Sequence, residues 1–249
     1  QNSVRKRLAY RERMKMRVLI ADKMSADVVP NLESLSCSVF QDSTLSGEGL
    51  VSAISDYDPQ VLVVRSTKVL DVHIDAGASL ALVIRAGAGV NTIDLDHASS
   101  RGVYVANCPG KNAAAVAELA LGHMLNADRC IADNVAALRA GEWKKKSFAK
   151  GTRGLKGRTL GLIGMGNIGS EVAKRAQAFD MNVVAWDISL SADRAAVLGV
   201  EQAPGPVEVA ACSDILSVHI ALNEHTRGLV SDDVFDAMKP QAIFINTSR

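Results

Sequence analysis

The chain has 249 residues, 48% of them hydrophobic, and a formal net charge of +1 at neutral pH. That content can bury one large or two modest cores, and the balanced charge excludes a general nucleic-acid or membrane-surface partner. No apolar run approaches the roughly 18 residues that cross a bilayer, and Cys37, Cys108, Cys130 and Cys212 form no CxxC pair, which predicts free thiols in a reducing cytoplasm and no metal site.

The chain opens on a basic run of Arg5, Lys6, Arg7, Arg11, Arg13, Lys15 and Arg17, without an apolar segment of signal-peptide length. Residue 1 is not Met, and Met14 and Met16 stand just before the apolar Val18-Leu19-Ile20-Ala21, so residues 1–15 read as a disordered leader or extension. From residue 16 short apolar runs alternate with longer helix-like segments, the mark of α/β architecture. Runs at 18–21, 38–40, 61–64, 81–84 and 103–106 lack polar alternation, as strands covered on both faces do.

Asn112 stands where it would cap a long helix over 113–139, with Gly141 ending it. Ala113, Ala117, Ala120 and Ala127 share one face of that helix and permit close approach of another helix, from the same domain or from a second copy. Residues 143–157 read as a basic loop. A second sheet follows, with strands expected at 160–163, 183–186, 215–219 and 242–245. The pattern gives two αβ domains, 16–111 and 112–249, with a cleft between them. Four strands are fewer than the six of an open Rossmann sheet, so we expect the chain to be C-terminally truncated.

Leu160-Gly161-Leu162-Ile163-Gly164-Met165-Gly166-Asn167-Ile168-Gly169 carries the most information. A buried strand, a tight glycine turn and an amphipathic run follow in the order a dinucleotide site needs. Gly164 turns the chain, Gly166 lets a pyrophosphate approach the backbone, and Gly169 lets helix and strand pack closely. The helix then aims its free N–H groups and positive dipole end at the phosphates. Asp187 closes the next apolar run 18 residues after Gly169, where a carboxylate meets the adenosine ribose. It would repel a 2′-phosphate, and Ile188-Ser189 supply no arginine to receive one, so NAD is expected over NADP.

With these motifs in order the chain resembles the D-isomer-specific 2-hydroxyacid dehydrogenases, and within them the D-3-phosphoglycerate dehydrogenase group. The resemblance rests on Val64-Arg65-Ser66-Thr67-Lys68-Val69, Ile84-Arg85-Ala86-Gly87-Ala88-Gly89-Val90-Asn91, Asn107-Cys108-Pro109-Gly110-Lys111-Asn112, Val116-Ala117-Glu118 and Leu155-Lys156-Gly157-Arg158-Thr159. It continues through the glycine motif, Ser217-Val218-His219 and Asn246-Thr247-Ser248-Arg249. It implies a flavodoxin-like substrate domain, residues 16–111, and a Rossmann NAD-binding domain, residues 112–249, which together act on 3-phosphoglycerate in serine biosynthesis.

The resemblance also implies roles. Arg249 matches the catalytic arginine, whose planar fork grips the substrate carboxylate and the oxygen on C2. In the family the histidine proton acceptor and the glutamate that holds it lie beyond the position of Arg249, so residues 1–249 alone are expected to be inactive. Arg65, Ser66, Arg85, Gly87, Ala88 and Gly89 face substrate, and Ala88 also touches the nicotinamide half of the cofactor. Two strand-end arginines suit a dianionic phosphate, and glycines at 87 and 89 can present backbone N–H groups to a carboxylate. Gly164, Gly166, Asn167, Ile168, Gly169 and Asp187 hold NAD, with His219, Ile220, Asn246, Thr247, Ser248 and Arg249 along it. His219 is a contact and not the acid/base. A homodimer built at the long helix and a cytoplasmic location complete what is implied.

His73, His97, His123 and His225 have no ligand-spaced partners and read as surface or capping residues. Asp94 and Asp96 are placed to cap the helix after the first glycine loop. Glu118 reads either as orienting cleft residues or as an interhelical hydrogen bond. A glyoxylate or hydroxypyruvate reductase, or another D-2-hydroxyacid dehydrogenase, needs the same cofactor without the phosphate site. A corepressor of the same fold that senses NADH is the non-enzymatic alternative.

Overall fold

The computed structural model describes residues 15–248; residues 1–14 of the expected leader, and Arg249, lie outside them. The chain divides into two compact units, Gln1–Lys111 and Asn112–Arg249.

The first unit runs β1 (Arg17–Ile20), α1 (Val28–Ser34), β2 (Ser38–Gln41), α2 (Gly47–Tyr57), β3 (Val61–Val64), α3 (Asp71–Asp75), β4 (Leu82–Arg85), α4 (Leu95–Ser100) and β5 (Tyr104–Asn107). All its strand pairs are parallel, in the order β2-β1-β3-β4-β5, the flavodoxin-like arrangement. Both faces are apolar because helices cover both. Leu19, Leu62 and Val83 pack with Leu50 and Ile54 of α2 on one side, while Val18, Ile20 and Val61 pack with Val28 and Leu32 of α1 on the other.

The second unit runs α5 (Ala113–Arg129), α6 (Ile131–Arg139), α7 (Lys145–Ala149), β6 (Thr159–Ile163), α8 (Asn167–Ala178), β7 (Asn182–Trp186), α9 (Ala192–Leu198), β8 (Glu201–Gln202), α10 (Pro206–Cys212), β9 (Ile215–Val218), α11 (Asp232–Asp236) and β10 (Ile243–Asn246). Its parallel order is β10-β9-β6-β7-β8, the Rossmann order for the strands present. The sheet has five strands where the sequence shows four, since the two-residue β8 is too short to leave a periodic signal.

The long helix expected over 113–139 is two helices. Cys130 takes a left-handed conformation with φ of 49°, which breaks the hydrogen-bond ladder. α6 then ends in a Schellman turn, in which Gly141 N–H donates to Leu138 O and Glu142 N–H to Ala137 O. The basic stretch read as a loop contains α7. Asn112 stands at the start of α5 but donates and accepts no side-chain cap bond, whereas Asp94 accepts the His97 N–H at 2.9 Å and does cap α4. The alanine face packs inward: Ala117 and Ala120 share a core with Val172, Ala173 and Ala176 of α8, and Ala127 is exposed.

A buried ion pair ties the start of the second sheet together. Asp128 accepts from Arg158 Nη1 at 3.0 Å and from the N–H groups of Arg153 and Gly154, while Arg158 Nη2 donates to the Asp214 carbonyl. Both side chains are more than nine-tenths buried.

Candidate functional site

In an open α/β sheet the ligand crevice lies where the strand order reverses, at the carboxyl ends of the strands. In the second unit that point is between β6 and β9. Gly164 leaves β6 with φ of 106°, and its N–H donates to the Trp186 carbonyl at 2.8 Å. A side chain on Gly169 would collide with the Gly164 carbonyl, while one on Gly166 would meet nothing within 4 Å. The turn is thus closed behind and open in front, where α8 begins. The amides of Asn167, Ile168 and Gly169 find no acceptor among the described residues, as the first turn of a helix leaves them.

Asp187 sits beside this turn, one residue past β7. Its Oδ2 accepts the Met165 N–H at 2.8 Å, and its Oδ1 accepts the Ser189 N–H at 2.8 Å and the Ser189 hydroxyl at 2.7 Å. Burial works to raise the pKa of this carboxyl. The bonds from Ser189 and Met165, with the charge of Arg194, outweigh it and hold the group below the usual carboxylate range. It is a fixed anion at neutral pH. Arg194 also touches the turn itself, since its Nη2 donates to the Met165 carbonyl at 2.9 Å.

His219 closes the other side. Its N–H donates to the Ile163 carbonyl at 2.8 Å, and its ring Nε2 lies 2.9 Å from the Ser217 hydroxyl, with Nδ1 at 3.5 Å from that of Thr247. Burial pushes the imidazole down to about 4, so the ring is neutral. Ser248 bonds the Val218 carbonyl and Asn246, so the segment after β10 folds over the end of β9. Ile220 also lies against Gly164. The structure therefore brings Gly164, Gly166, Asn167, Ile168, Gly169, Asp187, His219, Ile220, Thr247 and Ser248 to one sheet edge, while Arg249 lies outside the described residues.

In the first unit the strand order reverses between β1 and β3. There a cleft of about 430 Å³ is lined by Lys23, Met24, Ser25, Arg65 and Ala86. Asp22 sets the backbone beneath it by accepting the N–H groups of Arg65, Ser66 and Thr67 at 2.7, 3.1 and 3.1 Å. Burial works to raise the Asp22 pKa, and these three bonds with the Thr67 hydroxyl lower it below the usual range. The Ser66 amide is consumed in this way, and the Arg65 side chain stays exposed.

Arg85 behaves differently. It is 5% exposed, and its Nη1 turns back to donate to the Gly89 carbonyl at 2.6 Å. The Ala88 carbonyl accepts from Asn107 Nδ2 at 2.6 Å, and the Gly87 carbonyl from the Cys108 N–H at 3.0 Å. Three successive carbonyls are therefore held from behind. The amides of Ala88, Gly89 and Val90 make no hydrogen bond to the described residues. Neither Gly87 nor Gly89 has positive φ; a side chain on Gly87 would lie 2.8 Å from Arg85 Nη1, so packing over the guanidinium is what requires glycine there.

Residues 121–249 match the NAD binding domain of the D-isomer specific 2-hydroxyacid dehydrogenases. The chain belongs to that family. It is 38% identical over 235 residues to a D-3-phosphoglycerate dehydrogenase of Methanocaldococcus jannaschii, covering 94% of this chain but 44% of that protein. It is 41% identical over 229 residues to a hydroxypyruvate reductase of Thermotoga maritima, covering 92% of this chain and 71% of that protein. The holo form of Rhodotorula graminis D-mandelate dehydrogenase matches with a TM-score of 0.82 at 25% identity, over 94% of this chain and 74% of that one. The chain thus spans under half the length of the phosphoglycerate dehydrogenase it resembles.

The cofactor of this dehydrogenase family's domain is NAD, and the residues present fit it. The open face at Gly166, the free amides at the start of α8 and the ionised Asp187 are the three features a dinucleotide needs. Sequence reading passed over three residues at these edges. Lys23 and Asp22 follow β1 as Arg65 follows β3, a signal that was present. Arg194 is seven residues beyond Asp187, and only the turn into α9 returns it to the site. Glu118 is exposed and pairs with Arg175 of α8 at 3.1 Å, which is the interhelical alternative. His73 caps α3 by accepting the Leu70 N–H, and His97 pairs with Asp75.

Proposed function

We propose that the protein oxidises 3-phosphoglycerate to 3-phosphohydroxypyruvate with NAD, the entry step of serine synthesis. The observation that carries this reading is the convergence of Lys23 and Arg65 in one cleft at the carboxyl edge of the first sheet. Two cations there suit a dianionic phosphate. Ala86 links the cleft to the glycine loop, where the free amides of Ala88, Gly89 and Val90 suit the substrate carboxylate. Arg85 is a buried cation whose Nε has no partner, and an anion on this loop supplies the opposing charge. The name of the Methanocaldococcus relative supports the same substrate.

NAD supplies a hydride acceptor at C4 of its nicotinamide ring. Oxidation at C2 removes one hydride and the hydroxyl proton, so the products are the 2-oxo acid, NADH and a proton. In this reading Arg249 holds the carboxylate and the C2 oxygen, and the family resemblance assigns the proton to a histidine that follows Arg249 in sequence. Asp187 orients the adenosine ribose, and the α8 amides hold the pyrophosphate.

The test is steady-state kinetics on the complete gene product with 3-phosphoglycerate, hydroxypyruvate and glyoxylate. K23A and R65A should each raise KM for the phosphorylated substrate about tenfold or more, since each removes a charge-assisted contact, and leave the unphosphorylated ones nearly untouched. Equal effects on all substrates would favour the hydroxypyruvate reductase reading, which the 41% identical Thermotoga relative supports.

We further read α6 as a homodimer contact. None of its residues is buried, and Ile131, Val135 and Leu138 form an exposed apolar stripe at helical spacing. V135E should shift the protein toward monomer in light scattering. Four free cysteines support a cytoplasmic setting.

A further inference from the structure

Arg194 and Asp187 are tied to two ends of one residue in the glycine turn. The Met165 carbonyl accepts from Arg194 Nη2 at 2.9 Å, and the Met165 N–H donates to Asp187 Oδ2 at 2.8 Å. The two side chains do not pair directly among the described residues, yet the arginine charge is felt at the carboxylate. Arg194 is exposed, and its Nε and Nη1 make no hydrogen bond to the described residues. A cation with uncommitted donors therefore stands beside the carboxylate that reads the ribose.

These two groups ask opposite things of a 2′-substituent. An ionised carboxylate accepts the 2′-hydroxyl and repels a 2′-phosphate, whereas a nearby guanidinium accommodates the phosphate through its fork. Ser189 reinforces the first preference, since both its N–H and its hydroxyl are already committed to Asp187 Oδ1 and cannot turn toward a phosphate. We propose that Arg194 is a latent 2′-phosphate receptor, kept from use by the Asp187 carboxylate that stands beside it. The inference rests on the assignment of the adenosine ribose to Asp187.

The test measures dissociation constants for NADH and NADPH by fluorescence and calorimetry, with no need for turnover. D187S should weaken NADH binding and tighten NADPH binding at least about tenfold, and R194A added to D187S should return NADPH to its weak starting affinity. D187N is the second variant. It keeps a carbonyl oxygen for the Met165 amide while losing the charge and the second acceptor that Ser189 uses, and it should respond to R194A in the same way. If NADH binds the unaltered protein and is weakened by D187S, but NADPH affinity is the same with and without Arg194, the receptor is refuted while the ribose assignment stands. If D187S and D187N leave NADH affinity unchanged, the ribose assignment falls and this inference with it.

Discussion

Gly164 lies so close beneath His219 that a Cβ on it would stand 2.8 Å from the His219 carbonyl oxygen. The backbone there also has φ of 106°, which L side chains rarely adopt. G164A should cost about 1–3 kcal/mol from the conformation alone, and displace the end of β9 from the turn. The expected result is a lower melting temperature and NADH binding weakened about tenfold or more, read by thermal shift and fluorescence titration.

Breaking the Asp128–Arg158 pair should destabilise the second unit. D128A leaves a guanidinium that is 8% exposed without its countercharge, and frees the amides of Arg153 and Gly154. Loss of one partner from a buried pair costs about 3–5 kcal/mol. Urea unfolding should show that drop for D128A, with D128N losing less because its one carbonyl oxygen still accepts from one of the two amides, which donate to different carboxylate oxygens in the unaltered protein.

His219 predicts a pH dependence of definite sign. Its folded pKa of about 4 lies below the ordinary 6.5, because burial disfavours the charged ring. Between those values the unfolded chain binds the proton and the folded one does not. Stability from this group is therefore complete above 6.5, falls as pH drops from 6.5 toward 4, and is level below that. The span amounts to about 3 kcal/mol. Melting temperature against pH should show this slope in the unaltered protein and lose it in H219Q, and the imidazole NMR titration should have its midpoint near 4.

Arg85 and Arg65 should separate in kinetics. Arg65 is exposed in the cleft, while Arg85 is buried with its Nη1 on the Gly89 carbonyl. R85M should release the glycine loop and raise KM about equally for phosphorylated and unphosphorylated acids. That pattern would contrast with the phosphate-selective effect of R65A; a phosphate-selective R85M would place the guanidinium in the phosphate subsite instead.

The sheet strands were legible because burial on both faces leaves β-branched runs without polar alternation, and the glycine turn was legible because Gly164 and Gly169 each answer a separate steric demand while Gly166 leaves its front open. The break at Cys130 was not, since a left-handed residue that is not Gly or Asn leaves no compositional mark. β8 escaped because two residues carry no period. At the candidate sites, the residue types placed the strand-end residues at the carboxyl edges of the two sheets, but their side-chain directions did not follow. Arg65 and Arg85 look equivalent in sequence, and only the packing of Gly87 over the second guanidinium separates them. Arg194 was hidden because proximity through a turn is invisible to spacing along the chain.

In the proposed reading the loop at residues 87–89 needs little rearrangement to receive the substrate carboxylate. Asn107, Cys108 and Arg85 grip its carbonyls from the sheet side, so few backbone rotations remain to be frozen on association. Capture of a small acid there should consequently carry a modest entropic penalty, and tightening this loop further by mutation would gain little affinity.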